Sequence, residues 1–178
     1  MSNIKVFEND LPNDLDLSNE KFIGLDNEAL GLVLGRDPLT LVQLGLESKN
    51  FYLVKLNRKT YKAPNLVRVL SNDNTQFIMH YARQDLMWLK YHLNVKPKNI
   101  FCTKVASKIA RTASSFHGYK DLVKELCGKD ISKKEQQSDW GDPNLSEKQI
   151  KYAASDTEYL FDIRKKLIQM LEREKRID

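Results

Sequence analysis

The sequence predicts an α/β domain in which a central mixed sheet is flanked by helices. Three observations carry that prediction. Strand-like segments follow one another closely between residues 21 and 56, helix and strand patterns alternate from residue 63 to 102, and the remainder reads as helical.

The elements follow in order. Ile4 to Phe7 forms a short edge strand, and Leu11-Pro12 opens a turn. Strands are expected over 21–28, 39–47 and 51–56, joined by turns at Arg36-Asp37-Pro38 and Ser48-Lys49-Asn50, which makes a three-stranded meander. A helix over 63–72, a strand over 76–80, a helix over 82–94 and a strand over 99–102 come next. Helices are expected over 104–113, 118–127 and 146–174. Ser146 followed by Gln149 is a capping-box signature for the last of these, with Pro143 just upstream.

At 178 residues, 1–178 is expected to be one domain, long enough to bury a sizeable core. Hydrophobic residues at 41% beside charged residues at 30% suit a globular protein in water. No run approaches the roughly 18 apolar residues of a membrane helix, and the polar N-terminus does not read as a signal peptide, so a cytoplasmic protein without a membrane partner is expected. Cys102 and Cys127 lack the spacing of a zinc site or a disulfide framework. Residues 1–50 hold 4 Lys and Arg against 9 Asp and Glu, whereas residues 51–178 hold 25 against 15. That asymmetry suits a polyanion led by its backbone to an acidic centre, although a solvated Lys-rich surface reads the same way.

The acids are the most informative residues. Asp26 and Glu28 end an apolar run and, being two apart on a strand, share a face while Asn27 takes the other. Neighbouring carboxylates repel and persist cheaply only around a cation; oxygen-only ligands suit Mg²⁺ or Mn²⁺. Two solvated acids at a strand end are the plain alternative. Asp85 falls in the helical pattern Ala82, Asp85, Leu86, Leu89, Leu93, on or beside the apolar stripe, and Asp156 lies similarly relative to Tyr152, Ala153 and Leu160. A lone acid so placed can pair with Lys or Arg, but four on three separated elements point to a shared metal.

The segments FIGLDNEALGL, FIMHYARQDLMWL, HGYKDLVKELCG and SDWGDPNLSEKQIKYAASDTEYL together resemble ribonuclease D catalytic domains, of the compact bacterial type without a C-terminal helical domain. These are metal-dependent 3′-5′ exonucleases with four catalytic acids and a tyrosine in the third motif. The resemblance implies a ribonuclease H-like fold with five main strands, the strand at 21–28 central. It implies catalytic roles for Asp26, Glu28, Asp85, Asp156 and Tyr152, and two divalent ions, Mg²⁺ or Mn²⁺. Asp26 is expected to bridge both ions, Glu28 and Asp156 to serve the first, Asp85 the second directly or through water, and the Tyr152 hydroxyl to orient the attacking water. Tyr81 and Gln84 stand where many relatives carry asparagine and an aromatic residue.

Substrate contacts are expected from Leu32, which the resemblance places against the terminal base, from His80 and Tyr81 at a strand-to-helix junction, and from His117 with its following amides at a helix N-terminus. The alternatives are a buried core leucine, packing or turn residues, and an ordinary cap. Trp140 reads as a packing anchor. The expected activity is hydrolysis of single-stranded RNA from its 3′ end to nucleoside 5′-monophosphates, with no protein partner implied. The alternatives are a non-catalytic RNA-binding protein, which loss of an acid or of Tyr152 would favour, and a DNA-directed exonuclease of the same mechanism.

Overall fold

A computed structural model describes residues 3–132 and 134–177. Among the described residues six strands form one sheet: β1 (Asn3–Glu8), β2 (Phe22–Ala29), β3 (Leu39–Gly45), β4 (Asn50–Lys55), β5 (Gln76–Met79) and β6 (Ile100–Cys102). Their order is β1-β4-β3-β2-β5-β6. β2, β3 and β4 pair antiparallel as the expected meander, while β5 and β6 add in parallel on the other side of β2. The five expected strands are therefore present with the strand at 21–28 at their centre, and β1 is the edge strand, parallel to β4. This is the ribonuclease H-like mixed sheet flanked by helices.

The helices are α1 (Pro64–Leu70), α2 (Arg83–Leu93), α3 (Thr103–Ala110), α4 (Tyr119–Leu122), α5 (Glu147–Glu158) and α6 (Leu160–Arg173). α4 runs directly into a wider π-type turn over Val123–Cys127, and a short 3₁₀ turn spans Lys134–Gln137. The main core, built from Ile23, Leu25, Val42, Leu44 and Phe77 with Trp88 and Leu89 of α2, lies on one side of the sheet. On the other side α3, α4 and α6 meet around Leu122, Val123, Ile163 and Leu167. Leu41, Leu53, Trp140 and Ala153 form a third cluster under α5, so Trp140 is the packing anchor it was read to be.

The one long helix expected over 146–174 is two. The capping box forms as read, with Gln149 N–H donating to Ser146 Oγ at 3.3 Å and Ser146 N–H to Gln149 Oε1 at 2.9 Å. The break comes at Tyr159 for a reason outside the helix. The Tyr119 hydroxyl donates to the Ser155 carbonyl at 2.8 Å and accepts from Tyr159 N–H at 3.3 Å. Those two backbone groups would pair with each other in an unbroken helix, so a side chain inserted into the ladder separates α5 from α6.

Candidate functional site

β2 delivers the first two acids. Alternation along the strand turns Asp26 and Glu28 one way and Asn27 the other. Asn27 Nδ2 donates to the backbone carbonyl of Asp85 at 3.3 Å, which ties the end of β2 to the first turn of α2. The β2–β3 register shifts between Glu28 and Ala29, a bulge that bends the strand just beyond the acids.

α5 delivers the next two groups, because Tyr152 and Asp156 are one turn apart on the same helix face. Two glycines let that helix lie directly on the sheet. A Cβ at Gly45 would sit 2.5 Å from Thr157 Oγ1, and one at Gly24 would sit 3.2 Å from the Thr157 carbonyl oxygen. Any side chain at position 45 forces Thr157 to move, and Asp156 with it. Asp85, 8% exposed, enters from α2 on its apolar side, as its spacing predicted.

These elements converge on a cleft of about 360 Å³ whose lining includes Asp26, Glu28, Asp85, Tyr152 and Asp156. Asp26, Glu28 and Asp156 each offer a carboxylate oxygen, and the three oxygens lie within 4.8 Å of one another. Desolvation raises the pKa of Asp26; desolvation and then the charges of Asp26, Asp156 and Asp85 raise that of Glu28. Asp85 is raised by desolvation and by Asp26. The group therefore holds protons well above the ordinary carboxylate range unless a cation replaces them. All-oxygen donors at this separation fit a hard divalent ion.

Tyr152 packs on Trp140, with ring centroids 6.0 Å apart, and its hydroxyl interacts with Asp156. Burial and the neighbouring acids push its pKa above the usual phenol value, so it stays protonated. It can donate or accept a hydrogen bond and does not serve as an anionic ligand. Tyr119 also lines the cleft, and burial followed by Asp156 likewise raises its pKa. Its place in the helix ladder at Ser155 and Tyr159 fixes the backbone on both sides of Asp156. Nothing in the spacing of residue 119 distinguishes it from an ordinary helix-start tyrosine.

The rim differs from the floor. His80 and Tyr81 line the cleft. Thr103 Oγ1 donates to the Met79 carbonyl, so in its 2.9 Å contact with His80 the histidine Nδ1 is the donor, leaving Nε2 as acceptor in the neutral ring. Tyr81 is 51% exposed, has a left-handed backbone (φ 60°), and lies under Lys104 Nζ at 4.0 Å from the ring centroid. Among the described residues, Lys104 is the one lysine or arginine in the lining.

Leu32 is 82% exposed on the loop after β2, which removes the core-leucine alternative. That loop is closed by Asp37, whose carboxylate accepts from Val33 N–H at 2.9 Å and from Arg36, which holds its pKa down at about 2. His117 does not line the cleft, because its Nδ1 pairs with Ser107 Oγ at 2.8 Å. The Gly118 amide donates to Asp121 Oδ2 at 3.1 Å, so the ordinary cap is the arrangement found and that amide is already engaged.

Comparison with known proteins gives a consistent picture. The family described as 3′-5′ exonuclease matches residues 6–172. Ribonuclease D of Gluconacetobacter diazotrophicus is 35% identical over 162 residues, which is 91% of this chain and 41% of that protein. Structures of Brucella melitensis NrnC, one bound to pGG and one with bound Mg²⁺, are similar with TM-scores of 0.93 and 0.91 and identities of 39% and 38%. They cover 99% and 98% of this chain and 85% and 84% of the NrnC chains. The chain thus spans about two-fifths of the ribonuclease D relative and most of NrnC. Among the described residues, no helix is long and apolar enough to cross a membrane.

Proposed function

The chain belongs to the 3′-5′ exonuclease family, and from that premise we propose that it hydrolyses single-stranded RNA from the 3′ end, releasing nucleoside 5′-monophosphates, with residues 1–178 acting as one catalytic domain. The observation that carries this reading is the meeting of Asp26, Glu28 and Asp156 within 4.8 Å in a cleft that also holds Asp85 and Tyr152. A non-catalytic binding protein has no use for that costly concentration of acids.

Asp26, Glu28 and Asp156 would hold the first of two divalent ions, Mg²⁺ or Mn²⁺, with Asp26 shared and Asp85 serving the second. Bound ions supply the Lewis acidity that phosphodiester hydrolysis requires. The chain's own groups do the rest. Tyr152, protonated and anchored on Trp140, orients the attacking water by a hydrogen bond and leaves deprotonation to other groups. His80 and Lys104 meet the phosphate and ribose, and Tyr81 offers an exposed ring to a base. Leu32 stands beyond the acids as an apolar contact for the terminal base.

A short oligonucleotide is the second substrate reading. A relative whose structure contains bound pGG favours it. The test uses 5′-labelled single-stranded RNA, single-stranded DNA and a 5′-phosphorylated dinucleotide side by side. A ladder shortening from the 3′ end and abolished by chelator is expected with RNA. Internal cleavage of circular RNA, or activity that survives chelator, would sink the proposal; preference for DNA or for the dinucleotide would redirect it.

A further inference from the structure

β3 is buried along its whole length. Leu39, Leu41, Val42 and Leu44 belong to the core, and Thr40 Oγ1 donates to the Glu28 carbonyl at 3.0 Å. Gln43 is different. Its side chain is 0% exposed, and neither Nε2 nor Oε1 makes a hydrogen bond of normal geometry. A primary amide so placed has given up water, which native interiors rarely tolerate unless a polar group lies within its reach.

Its position shows what it faces. The antiparallel register sets Gln43 opposite Asp26, and directly paired residues project to the same face. Period-two alternation puts Glu28 on that face too. α5 covers it, since Leu41 clusters with Ala153 and Trp140, and Gly45 abuts Thr157. Gln43 lies between Leu41 and Gly45, under the helix that carries Tyr152 and Asp156. Its amide is close enough to Glu28 to favour the ionised carboxylate, opposing the burial that disfavours it.

We propose that Gln43 is a positioning residue for Glu28: its Nε2 donates to one oxygen of the metal-binding Glu28 carboxylate and so fixes which oxygen faces the ion. The proposal rests on the metal-site reading above. A carboxylate is a strong acceptor, and its hydrogen bonds are charge-assisted. A partner of this kind behind a metal ligand controls its orientation, and losing it typically lowers metal affinity or activity ten- to a hundredfold.

A merely structural glutamine behaves differently. Gln43→Met replaces the amide by an apolar chain of similar length, so either reading leaves metal-free thermal stability unchanged or raised. The readings separate in a calorimetric titration of Mn²⁺ into wild type, Gln43→Met, Glu28→Gln and the double variant. The expected result is at least roughly tenfold weaker binding by Gln43→Met, with no further loss when it is added to Glu28→Gln. Wild-type affinity in Gln43→Met, or the same added loss in both backgrounds, overturns the proposal. If the methionine variant does not fold, Gln43→Asn, whose amide is withdrawn by one methylene, should also bind weakly, and unaltered affinity there overturns it equally. Wild-type protein that binds no Mn²⁺ overturns the metal-site reading and this proposal together, whereas wild-type binding with an unaltered variant overturns this one alone.

Discussion

The floor of the cleft and its rim are built on opposite physical terms. Asp26, Glu28, Asp85 and Asp156 come from a central strand and two helices pressed onto it, and their mutual repulsion makes the arrangement expensive in the absence of a cation. Tyr81 and Lys104 at the edge, and Leu32 on the loop after β2, are exposed or half-exposed and cost the fold little. The difference teaches where rigidity is invested: the acids are placed by the core, and the proposed substrate contacts fall on residues free to change. Substitutions on the floor should therefore destroy turnover without harming the fold, and those on the rim should change preference alone.

The largest effect is expected at Asp26. Asp26→Asn keeps the side-chain size and removes the charge proposed to serve both ions, so turnover should fall by about 10³-fold or more. Thermal unfolding of the metal-free protein should hold steady or improve, because repulsion with Glu28 is relieved. Near-normal turnover at saturating metal would show that Asp26 is not a shared ligand.

Tyr152→Phe comes next and divides the floor into ligands and non-ligands. Losing one water-orienting hydrogen bond should lower the single-turnover rate by about 10² to 10³. Mn²⁺ affinity by calorimetry should not change, since the phenol is neutral. A large affinity loss would place the hydroxyl among the ligands.

Tyr119→Phe tests how the floor is held. Without the inserted hydroxyl, Tyr159 N–H and the Ser155 carbonyl can close the helix between them, shifting the backbone on either side of Asp156. Mn²⁺ binding should weaken about tenfold, while Tm stays level or rises. Wild-type affinity would mean that the interruption only shapes the helix.

Proton uptake gives a further contrast. Asp26 is pushed up to about 7 and Glu28 to about 10, above their unfolded values near 4, so the folded metal-free protein binds more protons than the unfolded chain. The stabilisation is complete below the unfolded pKa and is lost as pH rises through the folded values. Tm without metal should therefore fall between pH 5 and pH 8, each kcal/mol costing about 2 to 4 °C. With saturating Mg²⁺ the trend should vanish or reverse, because the ion binds the ionised acids more tightly as pH rises. A flat metal-free profile would show that the acids are not strained together.

The same contrast explains what could be read from the sequence. The strands, the α/β class and the four acids were legible because burial imposes a pattern: Asp85 interrupts an apolar helix stripe, and Asp26 and Glu28 end an apolar strand. Gln43 carried that signal as well, as the polar residue amid Leu-Val and Leu-Gly in β3, yet its meaning depended on the register that sets it opposite Asp26. The break at Tyr159 was not legible, since its cause lies 40 residues earlier in Tyr119. For His117 the sequence left phosphate contact and an ordinary cap both open, because helix-start patterns do not say whether the amides are already engaged, as the Gly118 amide is by Asp121. On the rim no burial rule applies, and sequence offers only residue type.

Leu32 provides the smallest and most discriminating test. At 82% exposed it contributes almost nothing to the fold, so Leu32→Ala should leave the unfolding free energy unchanged within about 0.5 kcal/mol. If it meets the terminal base, the variant loses about 1 kcal/mol of apolar contact, roughly fivefold in kcat/KM. Exposure fixes the sign of the first outcome, and only a substrate can produce the second. The loss should be equal for RNA and DNA, because an apolar contact with a base does not sense the 2′-hydroxyl. Tyr81→Ala offers the complementary measurement: a loss there that grows with substrate length would put the ring under a base further from the 3′ end. Unchanged kcat/KM in Leu32→Ala on every substrate would remove the leucine from the substrate path and leave its exposure without a catalytic purpose.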